Sequence, residues 1–407
     1  METRKDVKLS PPPAAWCIAQ ELIRHGYSAY IVGGWVRDSL LGKQPYDCDL
    51  AVSALPHEIL SCLTHRKTFE TGRKHGTITV LADGHPVEVT TFRRDGEYTD
   101  ARHPDRVYFT DSVWEDLQRR DFTINAMAYH PQQGLLDPVG GFLDLQRGVL
   151  RAVGNPRQRF AQDALRILRA VRFCAVLGFA IEDKTRYAMF DAVDGLRLLS
   201  RERIQRELFF TFHGNYIVQA LERCKPVWQT LFPFYKEENL FATLLERFER
   251  TPPDFLARLC LFLWPFSPLE RMNLLHSLRF DSKTIADVTL LLKNLSMPDF
   301  DKISFCKLYG ELGEKSMQSF LAVGKAVGIL DVKMRADCLK WMEEVTQHHL
   351  CCSRKELAVN GEDLLLLGVP SGRRIGTVLE ELLRQVIEGK IPNERNALLS
   401  LAQELVQ

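Results

Sequence analysis

The sequence predicts an α+β head, a mixed sheet with helices, followed by an all-α, multi-helix remainder. Two observations carry this expectation. Over the first ~145 residues, short β-branched and aromatic runs alternate with helix-period segments and are punctuated by turn dipeptides. Beyond Asn155 the texture changes to heptad-like apolar spacing that persists to the C-terminus.

Taken in order, the polar stretch Met1–Pro13 ends in three prolines and reads as a disordered lead-in. Ala14–Arg24 has the spacing of an amphipathic helix, and Ala29–Val32 is a short strand that runs into Gly33-Gly34. Asp49–Val52, Thr77–Leu81 and Val87–Phe92 are further strands, with turns at Asp83-Gly84 and Asp95-Gly96. In the remainder, helices are interrupted at Gly214, Thr251-Pro252-Pro253, Ser267-Pro268, Met297-Pro298 and Gly368–Gly372.

A chain of 407 residues exceeds one compact core, and its length suggests roughly two to three domains. The 45% hydrophobic and 26% charged content is ordinary for a globular protein. The longest apolar runs, such as Leu259–Trp264, fall far short of the ~20 residues that span a bilayer, so no membrane partner is expected. Ten cysteines form no CxxC pair and no zinc-like spacing with histidine. Reduced, mostly buried thiols and a cytoplasmic setting are the simplest account. A net charge of +1 argues against a protein that coats nucleic acid globally, and leaves room for a local basic face.

The densest chemistry lies in Ile31-Val-Gly-Gly-Trp-Val-Arg-Asp38 and Tyr46-Asp-Cys-Asp-Leu50. A strand running into Gly33-Gly34 and then a helix lets a phosphate approach the main chain closely, and Arg37 adds a cation one turn on. Asp47 and Asp49 are one residue apart on an extended segment, so both carboxylates point to one face. Such a pair is repulsive without a cation between its members. Hard oxygen ligands suit Mg2+, which takes one or two carboxylates together with substrate phosphates. Two-metal phosphoryl chemistry often recruits a third carboxylate. Glu88 is the candidate, because its side chain faces away from the apolar neighbours Val87 and Val89.

Gly33-Gly34-x-x-Arg37-Asp38 followed by Asp47-x-Asp49 resembles the signature of the DNA polymerase β nucleotidyltransferase superfamily. Arg119-Arg-Asp-Phe-Thr-Ile-Asn-Ala126 resembles a motif of the class II tRNA nucleotidyltransferase and bacterial poly(A) polymerase family. Similarity runs from about Tyr30 to Phe210, with a weaker echo near Asn360–Asn396. The resemblance implies that Asp47 and Asp49 bind the metals and that Glu88 helps activate the attacking hydroxyl. It also implies that Gly33, Gly34, Arg37, Arg119, Arg120, Asp121 and Asn125 position the triphosphate and ribose. Further implied are a catalytic head over 14–148, a neck over 149–212 that recognises base and RNA, a helical body over 213–298, and a tRNA-binding helical tail over 299–407.

Asp163, Arg166, Arg169 and Arg172 recur every three residues within Asn155–Phe173, so on one helix they form a row with two cations left seeking a partner. Cytosine and adenine both present an amino donor beside a ring-nitrogen acceptor. A carboxylate beside a guanidinium, as Asp163 and Arg166 are at i,i+3, complements both bases and repels guanine and uracil. The family's Glu-Asp-x-x-Arg motif acts in this way as a protein template. The resemblance assigns base reading to Asp163 and Arg166, with Arg169 and Arg172 in support or on phosphates. Gln162 replaces the family's leading Glu, losing a charge-assisted contact but keeping hydrogen-bonding capacity. From Arg147 to Arg206, thirteen Lys/Arg stand against six Asp/Glu, the footprint expected for an RNA backbone. Ser200-Arg-Glu-Arg-Ile-Gln-Arg-Glu-Leu208 resembles the next motif, and its spacing suggests packing behind the N-cap Ser200.

Arg93–Asp111 resembles the flexible loop of full CCA-adding and A-adding enzymes. Asp163-Ala-Leu-Arg166 lacks the Asp-Pro-Val-Arg usual in poly(A) polymerases, which favours a tRNA enzyme. The expectation is a CCA-adding tRNA nucleotidyltransferase that uses CTP and ATP, tRNA and Mg2+. Alternatives are an A-adding or CC-adding partner enzyme, a poly(A) polymerase, or a non-catalytic RNA-binding protein on the same scaffold.

Overall fold

The computed structural model describes residues 3–45, 47–95, 107–297 and 300–406. It divides into two compact units, Met1–Lys236 and Glu237–Gln407, a boundary that falls inside the stretch expected to be the helical body. No helix among the described residues is long and apolar enough to cross a membrane.

The first unit is built on an eight-stranded mixed sheet. Its strands are β1 (Thr3–Arg4), β2 (Ala29–Val32), β3 (Asp49–Val52), β4 (Thr68–Phe69), β5 (Thr77–Ala82), β6 (His85–Thr91), β9 (Ala128–His130) and β10 (Gly134–Leu136), in the order β1-β10-β9-β2-β3-β6-β5-β4. A separate ribbon pairs β7 (Arg93–Asp95) with β8 (Val107–Phe109). Within the large sheet only β3 and β6 run parallel, with Leu50 opposite Val89. β5 and β6 alternate as a half-buried pair must: Ile78, Val80, Val87 and Val89 point into the core, and Glu88 projects the other way. Their two-residue turn places Asp83 at φ 50° and Gly84 at φ 80°, the left-handed pair that matches strand twist.

The helices of this unit are α1 (Pro13–Arg24), α2 (Gly34–Leu40), α3 (Pro56–Cys62), α4 (Val113–Gln118), α5 (Gly141–Arg147), α6 (Pro156–Gln162), α7 (Leu165–Leu177), α8 (Asp183–Asp191), α9 (Arg201–Phe212), α10 (Ile217–Arg223) and α11 (Lys225–Leu231). α1 starts with proline at its first position and buries Ala15, Ile18, Ala19 and Leu22, the i, i+3, i+4, i+7 stripe of a surface helix. Val32, Ala51, Phe92, Val113, Leu117, Ala128 and Leu136 form a core that ties the central strands to α4.

Two expectations need correction here. The lead-in is not disordered over its described part. Thr3 and Arg4 pair with Leu136 and Leu135, and the Leu9 backbone exchanges hydrogen bonds of 2.9 and 3.0 Å with the Tyr129 hydroxyl. An edge strand needs only backbone groups, so polar composition did not exclude it. The remainder is helical as expected apart from one two-residue parallel pair, β11 (Val149–Leu150) with β12 (Ala180–Ile181). The stretch from 155 to 173 is two helices rather than one, with consequences described below.

The second unit is helical throughout its described residues: α12 (Glu238–Glu249), α13 (Phe255–Leu263), α14 (Pro268–Ser277), α15 (Ser282–Leu295), α16 (Lys302–Ala326), α17 (Val332–His348), α18 (Gly361–Leu366), α19 (Arg373–Ile387) and α20 (Arg395–Val406). Its starts are written in the chain. Asp254, Ser267, Asp281, Asp301, Asp331 and Asn360 each cap the following helix by accepting a backbone N–H.

Candidate active site

The first unit contains a cavity of about 780 Å³, and all fourteen residues singled out from the sequence line it. Its floor begins where β2 ends. Gly33 has φ 71° and ψ −132°, a conformation open to glycine, and a Cβ there would lie 3.3 Å from Arg120 Nη1. The chain then turns into α2, which carries Arg37. The Arg37 guanidinium donates to both Asp38 carboxylate oxygens at 2.8 and 2.7 Å and to Asn125 Oδ1 at 2.7 Å.

β3 starts at Asp49 beside β6, so Asp49 sits next to Glu88. Cys48 is buried between the flanking residues, and Asp47 and Asp49 both face the cavity with Glu88. Burial pushes the Asp49 carboxyl up to about 6, repulsion from Glu88 and Asp47 adds to the rise, and Arg120 opposes it. The three carboxylates thus form an acidic corner in which the ionised form of Asp49 is costly. No cluster of three or more metal-ligating side chains is drawn to coordination distance among the described residues. The corner offers Mg2+ a pair of hard oxygen ligands and leaves its other positions to phosphate and water, a donor set that fits the ion.

Facing the corner is a wall of arginines on α7 and its neighbours. Asp121 is buried and accepts from Arg169 Nε at 2.5 Å, from Asn125 Nδ2 at 3.2 Å and from the Phe122 amide at 2.8 Å. Burial alone would raise its pKa, but Arg169 holds it well below the usual carboxylate range. Arg172 lies 3.3 Å from Glu207. Burial and the nearby Arg169 push Arg172 down to about 10, while burial pushes Glu207 up. Their pairing only partly offsets desolvation, so an incoming anion has charge to satisfy. The Phe173 ring lies beneath the guanidinium groups of Arg37, Arg169 and Arg172, with centroid distances of 5.1, 5.4 and 4.7 Å.

The expected Asp163–Arg166 row on one helix is corrected. α6 ends at Gln162, Asp163 is extended at φ −152° and ψ 107°, and its Oδ1 accepts from the Leu165 amide to open α7. Asp163 Oδ2 accepts from Arg203 at 2.7 Å, while Arg166 donates to Gln162 Oε1 at 2.8 Å and to the Arg159 and Arg119 carbonyls. Gln162 therefore retains the hydrogen-bonding capacity expected of it. Arg169 and Arg172 are not left over as expected, since Asp121 and Glu207 take them. The cation stripe is also thinner than the linear count. Seven of its members, Arg151, Arg157, Arg169, Arg172, Arg186, Arg197 and Arg203, sit in ion pairs, and Asp121, Asp144 and Glu207 join from outside the counted window.

Sequence reasoning missed Asp38, Asp116, Phe173, Arg203, Glu207 and Phe210. Arg203, within the segment whose spacing suggests packing, lines the cavity; Ser200 opens α9 as expected but makes no side-chain cap bond among the described residues. The local signal for Asp116 was present, at i,i+3 and i,i+4 from the arginine pair. Of the expected flexible loop, residues 96–106 and the Gly96 turn lie outside the described residues, and its flanks form β7 and β8.

A glycine turn, an acidic corner and an arginine wall in one cleft divide charge as nucleotidyl transfer requires. Residues 29–151 match the Poly A polymerase head domain, and residues 257–402 match tRNA nucleotidyltransferase domain 2. The chain is 35% identical over 388 residues to the CCA-adding enzyme of Levilactobacillus brevis, covering 94% of this chain and 95% of that one. It is 36% identical over 416 residues to that of Lacticaseibacillus paracasei, covering 100% and 98%. The crystal structure of the Bacillus stearothermophilus CCA-adding enzyme in complex with CTP superposes with a TM-score of 0.78 at 30% identity, covering 98% of each chain. The chain belongs to the family of CCA-adding enzymes.

Proposed function

We propose that this cavity joins CTP twice and then ATP to the 3′ end of tRNA without a nucleic-acid template, releasing pyrophosphate at each step. The observation that carries the reading is the convergence of Asp47, Asp49 and Glu88 on the cavity that the glycine turn and the arginine wall also line. Asp47 and Asp49 are the residues that would hold magnesium, which supplies charge neutralisation at the reacting phosphates and lowers the pKa of a bound hydroxyl. Glu88 accepts the proton of the attacking 3′-hydroxyl. Gly33 and Gly34 let the triphosphate approach the main chain, with Arg37, Arg120, Asp121 and Asn125 holding it and the ribose. Arg119 anchors the base side through its carbonyl. Asp163 and Arg166 read the base edge once Arg203 yields Asp163, and Arg169 and Arg172 meet phosphates.

The head and neck thus carry the chemistry, and the helical tail is assigned to tRNA. Ten unpaired thiols, eight of them buried, support a cytoplasmic setting. The deciding experiment supplies purified protein with tRNA ending at the discriminator base, and labelled CTP and ATP singly and together. Two C and one A are expected. Addition of C alone or A alone identifies a partner enzyme, long A tails a poly(A) polymerase, and no incorporation a binding protein.

A further inference from the structure

Asp116, on α4 behind the cavity, has a role that no motif assigned to it. Its side chain is 1% exposed, and it takes both members of the Arg119–Arg120 pair. Oδ1 accepts from Arg119 Nε at 3.0 Å and Nη2 at 2.7 Å, and also from the Arg93 amide at 3.4 Å. Oδ2 accepts from Arg120 Nη2 at 3.0 Å. The two arginines therefore leave one carboxylate in different directions. Arg120 reaches the Gly33 turn, where its Nη1 lies 3.3 Å from the position a Gly33 Cβ would take, and its charge acts on Asp49. The Arg119 carbonyl, by contrast, accepts from Arg159 at 3.3 Å and Arg166 at 3.2 Å, on the base-reading side. Among the described residues Arg120 Nε is buried without a hydrogen-bond partner, so the bond to Asp116 sets that guanidinium's rotation.

We propose that Asp116 is a positioning residue that aims Arg120, and not Arg119, at the triphosphate, while holding Arg119 so that its carbonyl anchors Arg166. This rests on the reading of the cavity as a nucleoside triphosphate site. It assigns the phosphate-facing cation of the pair, and it ties that cation to the first residue of β7.

The chemistry of the carboxylate supplies a selective test. In Asp116→Asn, the amide oxygen in the Oδ1 position keeps both Arg119 bonds and the Arg93 bond, while the amide NH2 in the Oδ2 position faces the Arg120 donor. The flipped amide would keep one bond and lose three, so the first orientation wins. The variant should remain folded, with Arg120 released.

Binding of ATP, CTP, adenosine and cytidine to full-length wild type and Asp116→Asn is measured by calorimetry, with thermal melts as the folding control. We expect a loss of triphosphate affinity of at least about tenfold with nucleoside affinity unchanged. Equal losses for both ligand types, or no loss for either, overturn the proposal. In an Arg120→Gln background, Asp116→Asn should add little further loss, and additive losses overturn it. If Asp116→Asn does not fold, Arg120→Gln should cost more triphosphate affinity than Arg119→Gln, and the reverse order overturns the proposal. Wild type that binds neither triphosphate removes the functional reading itself, whereas wild-type binding with an indifferent variant removes only the role of Asp116.

Discussion

Asp49 shows how a single residue reports the demand of its site. Its carboxyl is pushed up to about 6 by burial and by Glu88, so the folded protein holds this proton more tightly than the unfolded chain does. Its contribution to stability is present below the ordinary carboxylate value and is lost as pH rises through about 6. Metal-free Asp49→Asn should therefore melt about 2–4 °C above wild type at pH 7.5, with the gain shrinking toward pH 4. Calorimetry across pH checks this, and a variant melting below wild type at pH 7.5 contradicts it. The same variant should lose nearly all incorporation of C and A while tRNA binding survives, as should Asp47→Asn. Stability and activity are expected to move in opposite directions, because a cation held at this corner would relieve the repulsion that destabilises the metal-free protein.

Single elements carry the next layer. The β2–turn–α2 unit depends on Gly33, whose backbone angles suit no other residue and whose missing Cβ leaves room for Arg120. Gly33→Ala should cost about 1–3 kcal/mol in denaturant unfolding and weaken triphosphate binding. Full stability in that variant would show that the turn is less constrained than its angles imply. This unit was legible because strand, glycine pair and helix follow one another in sequence. The β5–β6 hairpin was legible for the same reason, its alternation and Asp-Gly turn being local. The break between α6 and α7 was not. Helical spacing runs unbroken through Arg159–Phe173, and the interruption comes from the Asp163 side chain bonding the Leu165 amide. Nor did sequence reveal the partners of the arginine wall, since Asp163–Arg203 and Arg172–Glu207 are 40 and 35 residues apart. Residue type announced that these groups carry chemistry. Their pairing is a property of packing.

For the whole molecule, linear charge counting overstated the basic face, because folding pairs it with Asp121, Asp144 and Glu207 from outside the counted window. RNA binding by the neck should then rest on exposed cations such as Arg201 and Arg206 of α9. Replacing both with glutamine should weaken tRNA binding and reduce the slope of log affinity against log salt by about 2, leaving CTP affinity unchanged. An unaltered slope would place the RNA elsewhere. The near-neutral net charge is compatible with such a local footprint, since the remaining surface then offers RNA no general attraction.

Crystallography of the wild-type protein with CTP and manganese in place of magnesium, read by anomalous scattering, tests whether the acidic corner holds the metal. A peak is expected in direct contact with a carboxylate oxygen of Asp47, one of Asp49, and the triphosphate. Bound CTP with manganese remote from both aspartates would contradict it.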